Sequence, residues 1–336
     1  MHDGRLNIGV IGLGVMGQRM LARLAAHGRL QAQSVWDANP AAIAATLQAY
    51  PQLRAAHSAQ ALIATPGLHS LYIATPPAPH MALSELAFDA GLAVFCEKPL
   101  TVDFAAARAC IARIEAQGQR AAVNFALASS QGLALLQQQF GAPGQRSTQQ
   151  SLGALQQVEL ELAFAAWPRP WQAAAGAWLG ERIEGGFSRE VLSHFIFALQ
   201  RVLGRATVLR SQVEYPSDGV SAETGLQASV DASGVPVHIS GRVGGEQADL
   251  NRMLWRAEAG QTELQEWFGR IECRDAAGLP KPLDSAAAEL RLSGQREQLD
   301  QWVALIEGRP HGLPGYAEAL AVQETVETLL QGQTGT

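Results

Sequence analysis

The sequence predicts an α/β Rossmann domain with a parallel sheet, followed by an α+β domain with a large, mostly antiparallel open sheet. Three observations predict it. The first third alternates short apolar runs with helical periods, which implies a parallel sheet covered on both faces. Later, strand-like runs follow one another through short turns such as ASG and AGQ, which implies antiparallel pairing. The 336 residues, 47% of them hydrophobic, exceed one ordinary domain and give two domains the better prior. The division is expected at 1–124 and 125–336.

In the first domain, strands are expected at 6–11, 30–36, 68–74, 92–96 and 120–125. Helices are expected between them at 16–27, 40–48, 58–63, 80–90 and 102–117. Asn39-Pro40 reads as an N-cap and first helical residue, and Gly91 and Gly118 stand where helices end. Thr101 is the expected N-cap of the fifth helix. After Phe125 the pattern changes. The glutamine-rich stretch 131–157, with GAPGQRST in its middle, reads as a helix and then a mobile loop. Strands follow at 155–165, 206–214, 226–231, 235–243, 253–259 and 262–273, interrupted by one helix at 188–203. Helices at 295–307 and 316–330 close the chain.

Composition narrows the function. The formal charge is −6 with both signs scattered, and no basic run points to nucleic acid or a membrane surface. Aromatic residues, at 6%, are too sparse for a base-stacking platform. Cys96, Cys110 and Cys273 are too few and too far apart for a disulfide framework or a zinc knuckle. An odd count suits a reducing compartment. No signal peptide or bilayer-spanning stretch is read, so a cytoplasmic protein is expected.

NIGVIGLGVMGQRM sets Gly12, Gly14 and Gly17 after the first strand and at the mouth of a helix. The first glycine permits the tight turn, the second lets the backbone approach a pyrophosphate, and the third lets helix and strand pack closely. Free N–H groups at the helix start, around Val15 and Met16, then face the phosphates. Asp37 ends the second strand, twenty residues beyond Gly17, where a carboxylate accepts hydrogen bonds from an adenosine ribose. Ala38 and Asn39 follow, with no cation to neutralise a 2′-phosphate, which favours NAD over NADP.

AVFCEKPLTVD ends a strand at Cys96 and delivers Glu97-Lys98 beyond the carboxyl end of the sheet, where ligands bind in open α/β folds. The alternative for Lys98 is a solvated turn residue. EGGFSREVLSHFIFALQRVLG places Glu190 and His194 four apart on one face of a helix that Ser188 can cap. A carboxylate and an imidazole so placed can orient each other for proton transfer. An exposed acid–histidine pair is the plain alternative, and no further ligand is spaced to make a metal site. WPRPWQ offers Arg169 as a polar contact and Trp171 as a wall, or else a subunit contact or a packed loop.

These residues carry a resemblance. The chain resembles the Gfo/Idh/MocA family of NAD(P)-dependent oxidoreductases along essentially its full length. The glycine loop, IATPPAPH at 73–80, CEKPL at 96–100 and EGGFSREVLSH fall in the family's order. The resemblance implies that Ala74, Thr75, Pro76, His80, Glu97 and Lys98 join the glycine loop in holding the cofactor. It implies catalysis by Lys98 and His194 in a cleft between the two domains, and dimers or tetramers. Two departures stand out. The family's Asp is here Glu190, longer by one C–C bond of roughly 1.5 Å. Ala126, Leu127 and Ala128 stand where basic residues are common, which argues against a phosphorylated substrate.

The expected function is NAD-dependent hydride transfer at a secondary alcohol or ketone of a neutral sugar, cyclitol or related polyol. His194 is expected to take the hydroxyl proton, Lys98 to bind the same oxygen, and Glu190 to orient His194. Lys98, Arg169, Trp171, Glu190 and His194 are the expected substrate contacts. Rivals are an imine or deoxysugar-ketone reductase and a non-catalytic nucleotide sensor. Homodimers or homotetramers are expected through the open sheet.

Overall fold

The computed structural model describes residues 4–141, 152–281 and 287–332. The chain forms two compact units, Met1–Phe125 with Arg296–Leu320, and Ala126–Gln295 with Ala321–Thr336. The loop expected within GAPGQRST lies outside the described residues beyond Gly141.

In the first unit, strands and helices alternate: β1 (Leu6–Ile11), α1 (Val15–Ala26), β2 (Leu30–Trp36), α2 (Pro40–Ala49), β3 (Arg54–Ala55), α3 (Ala59–Ile63), β4 (Ser70–Ile73), α4 (His80–Asp89), β5 (Ala93–Cys96), α5 (Phe104–Gln117) and β6 (Ala121–Val123). The strands form a six-stranded parallel sheet in the order β3-β2-β1-β4-β5-β6. The order reverses between β1 and β4, and ligands of such sheets bind at that switch point. Ile11 lies opposite both Trp36 and Ile73, so β1, β2 and β4 end level and bring Gly12, Asp37 and Ala74 to one edge.

Local chemistry explains most boundaries. Asn39 caps α2 by accepting the Ala41 N–H at 3.0 Å, with Pro40 at the first helical position. Gly118 ends α5 in the left-handed conformation. One boundary differs from expectation. α5 begins at Phe104, capped by Asp103, whose Oδ1 accepts from Ala105 and Ala106. Thr101 instead accepts the Asp103 N–H at 2.9 Å and shapes the approach.

The second unit carries α6 (Gln131–Phe140), β7 (Leu155–Phe164), a π-turn at Ser188–Leu192 continuing into α7 (Ser193–Leu203), then β8 (Ala206–Glu214), β9 (Gly225–Ala232), β10 (Val235–Val243), β11 (Leu250–Ala257), β12 (Gly260–Gln265), β13 (Arg270–Asp275) and β14 (Pro280–Lys281). The sheet order is β14-β13-β12-β11-β7-β10-β9-β8, antiparallel except where β7 pairs with β10. Along β7, Val158, Leu160 and Leu162 are buried while Glu159 and Glu161 are not, the alternation of a sheet with one packed face. α7 packs on this sheet and buries Phe195, Ile196 and Leu199.

The stretch 262–273, expected as one strand, is a hairpin between β12 and β13. Its turn runs through Glu266, Trp267 and Phe268 at φ 52°, 58° and 61°, without a glycine until Gly269.

Two helices close the chain, α8 (Ala287–Ile306) and α9 (Tyr316–Leu330). The expected division left everything after 124 to the second domain, but the segment Arg296–Leu320 packs into the first unit. Trp302 shows why. Its indole is fully buried against Phe95 and Tyr72, with ring centroids 5.0 and 5.9 Å away, and it donates to Ser70 Oγ at 3.0 Å. Leu299, Val303, Leu305, Ile306 and Leu313 join the same core. No helix among the described residues is long and apolar enough to cross a membrane.

Candidate active site

The glycine loop is built by exclusion. Gly12 has φ 93°, and a Cβ there would lie 2.5 Å from the carbonyl carbon and oxygen of Ala74. A Cβ on Gly17 would collide with the Gly12 carbonyl. A Cβ on Gly14 would meet nothing within 4 Å, so the space before the first turn of α1 is open. No side chain caps α1, which leaves its first N–H groups to a ligand.

Asp37 braces this loop. Its Oδ2 accepts the Leu13 N–H at 2.6 Å and its Oδ1 the Asn39 N–H at 2.7 Å. Each carboxylate oxygen keeps a second lone pair for ribose hydroxyls. Gln18, which sequence reasoning missed, donates to Leu13 O at 3.1 Å and Thr46 Oγ1 at 2.7 Å, fixing the loop from behind. Across the switch point, Thr75 Oγ1 is buried with no hydrogen-bond partner in the structure. Open space at Gly14, an uncapped helix start, a braced Asp37 and an orphaned hydroxyl fit a dinucleotide. Val15, Met16, Ala74, Thr75 and Pro76 all border this edge of the sheet.

Two expected cofactor contacts face elsewhere. His80 is fully buried, with Nε2 2.9 Å from Thr75 O and Nδ1 3.2 Å from Leu100 O. Burial pushes its imidazole below the ordinary value, against the pull of these carbonyls. It ties the loop after β4 to the loop carrying Lys98. Glu97 turns into the core. Its Oε1 accepts from the Tyr72 hydroxyl and from Asn124 Nδ2 at 2.7 Å, and Gln298 Nε2 in turn donates to Asn124 Oδ1 at 2.9 Å. Burial pushes the Glu97 carboxyl up, against those hydrogen bonds and the charge of Lys98. Lys98 itself leaves β5 half-buried, joined to Pro99 by a cis peptide.

In the second unit, Gly186 makes room for Glu223, and Gly185 for the carbonyls of Trp178 and Leu179. Gly186 has φ 98°, and a Cβ there would collide with the Glu223 carboxylate. Glu223 is 1% exposed and its Oε1 accepts the Ser188 N–H at 2.7 Å, so it caps the π-turn in the role expected of Ser188. Arg189 locks the same turn. It forks onto Glu327 at 2.6 and 2.8 Å and donates to the carbonyls of Arg182 and Gly185 at 2.9 and 2.8 Å.

The π-turn changes the expected relation of Glu190 to His194. Glu190 lies within it, while His194 lies in α7, so regular α spacing does not connect them. π-turns inside helices gather at functional sites. His194 is 5% exposed, its Nδ1 accepts the Ala126 N–H at 3.3 Å, and its ring meets Trp267 edge-on at 5.2 Å. Trp267 sits in the left-handed turn after β12, where each non-glycine residue costs about 1–2 kcal/mol.

Arg169 is 8% exposed inside an aromatic cage. Its guanidinium lies 4.7 Å from the Trp171 ring, 5.5 Å from Trp167 and 5.6 Å from Phe164, and Nε donates to Gln172 Oε1 at 2.9 Å. That is the packed-loop arrangement. Trp171 keeps an outer face, 46% exposed. The first unit therefore carries Gly12, Gly14, Gly17, Asp37, Thr75 and Lys98, and the second carries Glu190, His194, Arg169 and Trp171.

Comparison with known proteins agrees with this geometry. Residues 6–125 match the model of the Gfo/Idh/MocA oxidoreductase family, NAD-binding Rossmann fold. No curated protein sequence matches the chain. Among solved structures, a putative myo-inositol dehydrogenase from Sinorhizobium meliloti is similar at 19% identity and TM-score 0.74, covering 97% of this chain and 96% of that one. The WlbA dehydrogenase from Bordetella pertussis, in complex with NADH and UDP-GlcNAcA, is similar at 19% identity and TM-score 0.81, covering 98% and 96%. An oxidoreductase from Agrobacterium radiobacter, in complex with NAD+, L-tartaric acid and magnesium, is similar at 16% identity and TM-score 0.78, covering 97% and 96%. These solved structures share the fold over nearly the whole chain, and residues 6–125 match the NAD-binding Rossmann fold of the Gfo/Idh/MocA oxidoreductase family.

Proposed function

We propose that the protein transfers hydride between nicotinamide C4 and the carbinol carbon of a neutral sugar, cyclitol or related polyol. The observation that carries this reading is the glycine loop braced by Asp37 at the switch point of the parallel sheet. Bound NAD supplies the hydride acceptor; the chain's own residues bind, orient and handle the proton. Lys98 and His194 each carry a catalytic role, and Glu190 supports His194 from the π-turn. Trp171 offers its exposed ring to the substrate's apolar face, with Arg169 stacked beneath it.

Asp37 favours NAD, because a carboxylate repels a 2′-phosphate. Ala126, Leu127 and Ala128 carry no charge, which favours an unphosphorylated substrate; Leu127 is buried in the core. We place the protein in the cytoplasm, where its three buried free thiols stay reduced. Self-association runs through the unpacked face of the second sheet. There Glu159, Glu161, Gln227, Ser229, His238 and Arg252 line a depression of about 570 Å³.

The test is a panel of sugars, cyclitols and other polyols, together with sugar phosphates and UDP-sugars, assayed for NAD reduction. A polyol with the highest kcat/KM supports the reading. Preference for a phosphorylated or UDP-linked sugar over its free form overturns the neutral-substrate assignment. NADH binding without turnover of any member leaves a nucleotide sensor instead.

A further inference from the structure

Two consecutive peptide groups of the glycine loop are pinned, one on each side of Leu13. The Leu13 N–H donates to Asp37 Oδ2 at 2.6 Å, which sets the plane of the Gly12–Leu13 peptide. The Leu13 carbonyl accepts from Gln18 Nε2 at 3.1 Å, which sets the plane of the Leu13–Gly14 peptide. The same amide nitrogen donates to Thr46 Oγ1 at 2.7 Å. The senses of these bonds are fixed by their partners. Thr46 is fully buried in α2 and gives its hydroxyl proton to Ala42 O at 2.7 Å, so its oxygen can only accept from Gln18. The Leu13 carbonyl can only accept as well. Gln18 therefore presents its NH2 group to both, and each of the two amide protons has its acceptor. The backbone of Gln18 is held too, because its N–H donates to Gly14 O at 2.9 Å in the first turn of α1.

A trans peptide holds its C=O and N–H antiparallel. Gln18 draws the Leu13 carbonyl to its own amide, so the Gly14 N–H points the other way. Gly14 is exposed, and a Cβ there would meet nothing within 4 Å, so a ligand can come close to this peptide. Turned over, the peptide would present carbonyl lone pairs instead of a proton and repel a phosphate. We propose that Gln18, anchored on Thr46, is a positioning residue for the cofactor. It keeps the Leu13 carbonyl turned away from the dinucleotide pyrophosphate and the Gly14 N–H turned toward it. This rests on the glycine loop being the NAD site and is independent of the substrate. Asp37 and Gln18 divide the work, each fixing one peptide plane before any ligand arrives. A donor already aimed loses less on binding than one that must be ordered. Thr46, buried behind the loop, acts only through Gln18.

The test is fluorescence titration of the full-length protein with NADH, beside competition by adenosine, which lacks the pyrophosphate. Gln18→Met keeps the length of the side chain and removes both donors. Its Kd for NADH should rise about 10-fold, the low end for one hydrogen bond to a charged group. Its inhibition constant for adenosine should stay at the wild-type value. Thr46→Val should weaken NADH binding in the same direction, and Thr46→Ser, which keeps the hydroxyl, should bind as the wild type does. Gln18→Met with Thr46→Val should lose no more than Gln18→Met alone, because both act through the Leu13 carbonyl. An unchanged Kd for NADH in Gln18→Met overturns the proposal, whatever happens to the melting temperature. So does an equal loss of NADH and adenosine, which would mean that the whole loop is displaced. Thr46→Ser as weak as Thr46→Val overturns the anchoring by the hydroxyl. Should Gln18→Met fail to fold, the two Thr46 variants carry the test. A wild type that binds no NADH overturns the cofactor assignment itself. No turnover is needed, so the polyol reading is judged separately.

Discussion

Asp37 serves the chain before any cofactor arrives, since its two oxygens hold the N–H groups of Leu13 and Asn39. Hydrogen bonds to a charged group contribute about 1.5–3 kcal/mol each. Asp37→Ser combined with Ala38→Arg is therefore expected to do two things. The preference for NADH over NADPH should shrink or reverse in titrations of both, and the melting temperature of the cofactor-free protein should fall. Tighter NADPH than NADH binding by the wild type would refute the assignment. The glycines separate in the same way. Gly12→Ala drives a methyl into the Ala74 carbonyl and should unfold the loop, whereas Gly14→Ala meets only open space. We expect Gly14→Ala to melt like the wild type while losing NADH affinity. A lowered melting point in that variant would show that the open space matters to folding rather than to ligand. At this scale the loop was legible in the sequence, because its geometry is local and the glycine spacing encodes it. Glu223, Trp267 and the Ala126 N–H were not. They reach the helix of His194 from distant positions, and no local spacing announces them.

The π-turn and its acid cap form the element on which the second half of the site depends. Burial pushes the Glu223 carboxyl above its ordinary value, against its bonds to Ser188 and the charge of Arg189. With the folded value raised, the native state holds more protons than the unfolded chain between the ordinary carboxylate value and the raised one. Stability therefore falls as pH rises through that window and stays flat above it. Glu97, raised by burial as well, acts with the same sign. Glu223→Gln keeps an oxygen for the Ser188 N–H and removes the buried charge, so it should flatten this fall and raise stability at neutral pH. Urea midpoints measured across the acid range test it; parallel curves for variant and wild type would exonerate the buried charge. The sequence showed an acid and a histidine four apart but not the π-turn between helix start and His194, since that register is set by Glu223 and by the Arg189–Glu327 fork. The hairpin at β12 and β13 escaped for a related reason. Glu266, Trp267 and Phe268 are poor turn formers, and packing, not propensity, bends them.

Across the whole molecule, alternation of strand and helix made both domain classes readable, yet helical periodicity does not say which sheet a terminal helix will cover. Trp302 decides it by filling the space between Tyr72 and Phe95. Trp302→Ala should cost about 3–5 kcal/mol, the usual range for emptying a buried aromatic site. Calorimetry should show the loss, and a smaller effect would mean that the core closes over the gap. The same return has a consequence for how the protein is made. A ribosome delivers the N-terminal 125 residues first, and nascent domains ordinarily fold as they emerge. This one waits, because the Arg296–Leu320 part of its interior is translated only after the whole run Ala126–Gln295. At roughly 5–20 residues per second, the interval is on the order of ten seconds or more. Throughout that delay the apolar surface that Leu299, Trp302 and Leu313 will cover stays open to chaperones. Nascent chains stalled just short of Arg296 should therefore remain sensitive to protease within residues 6–125, and chains stalled beyond Leu320 plus the exit tunnel should resist.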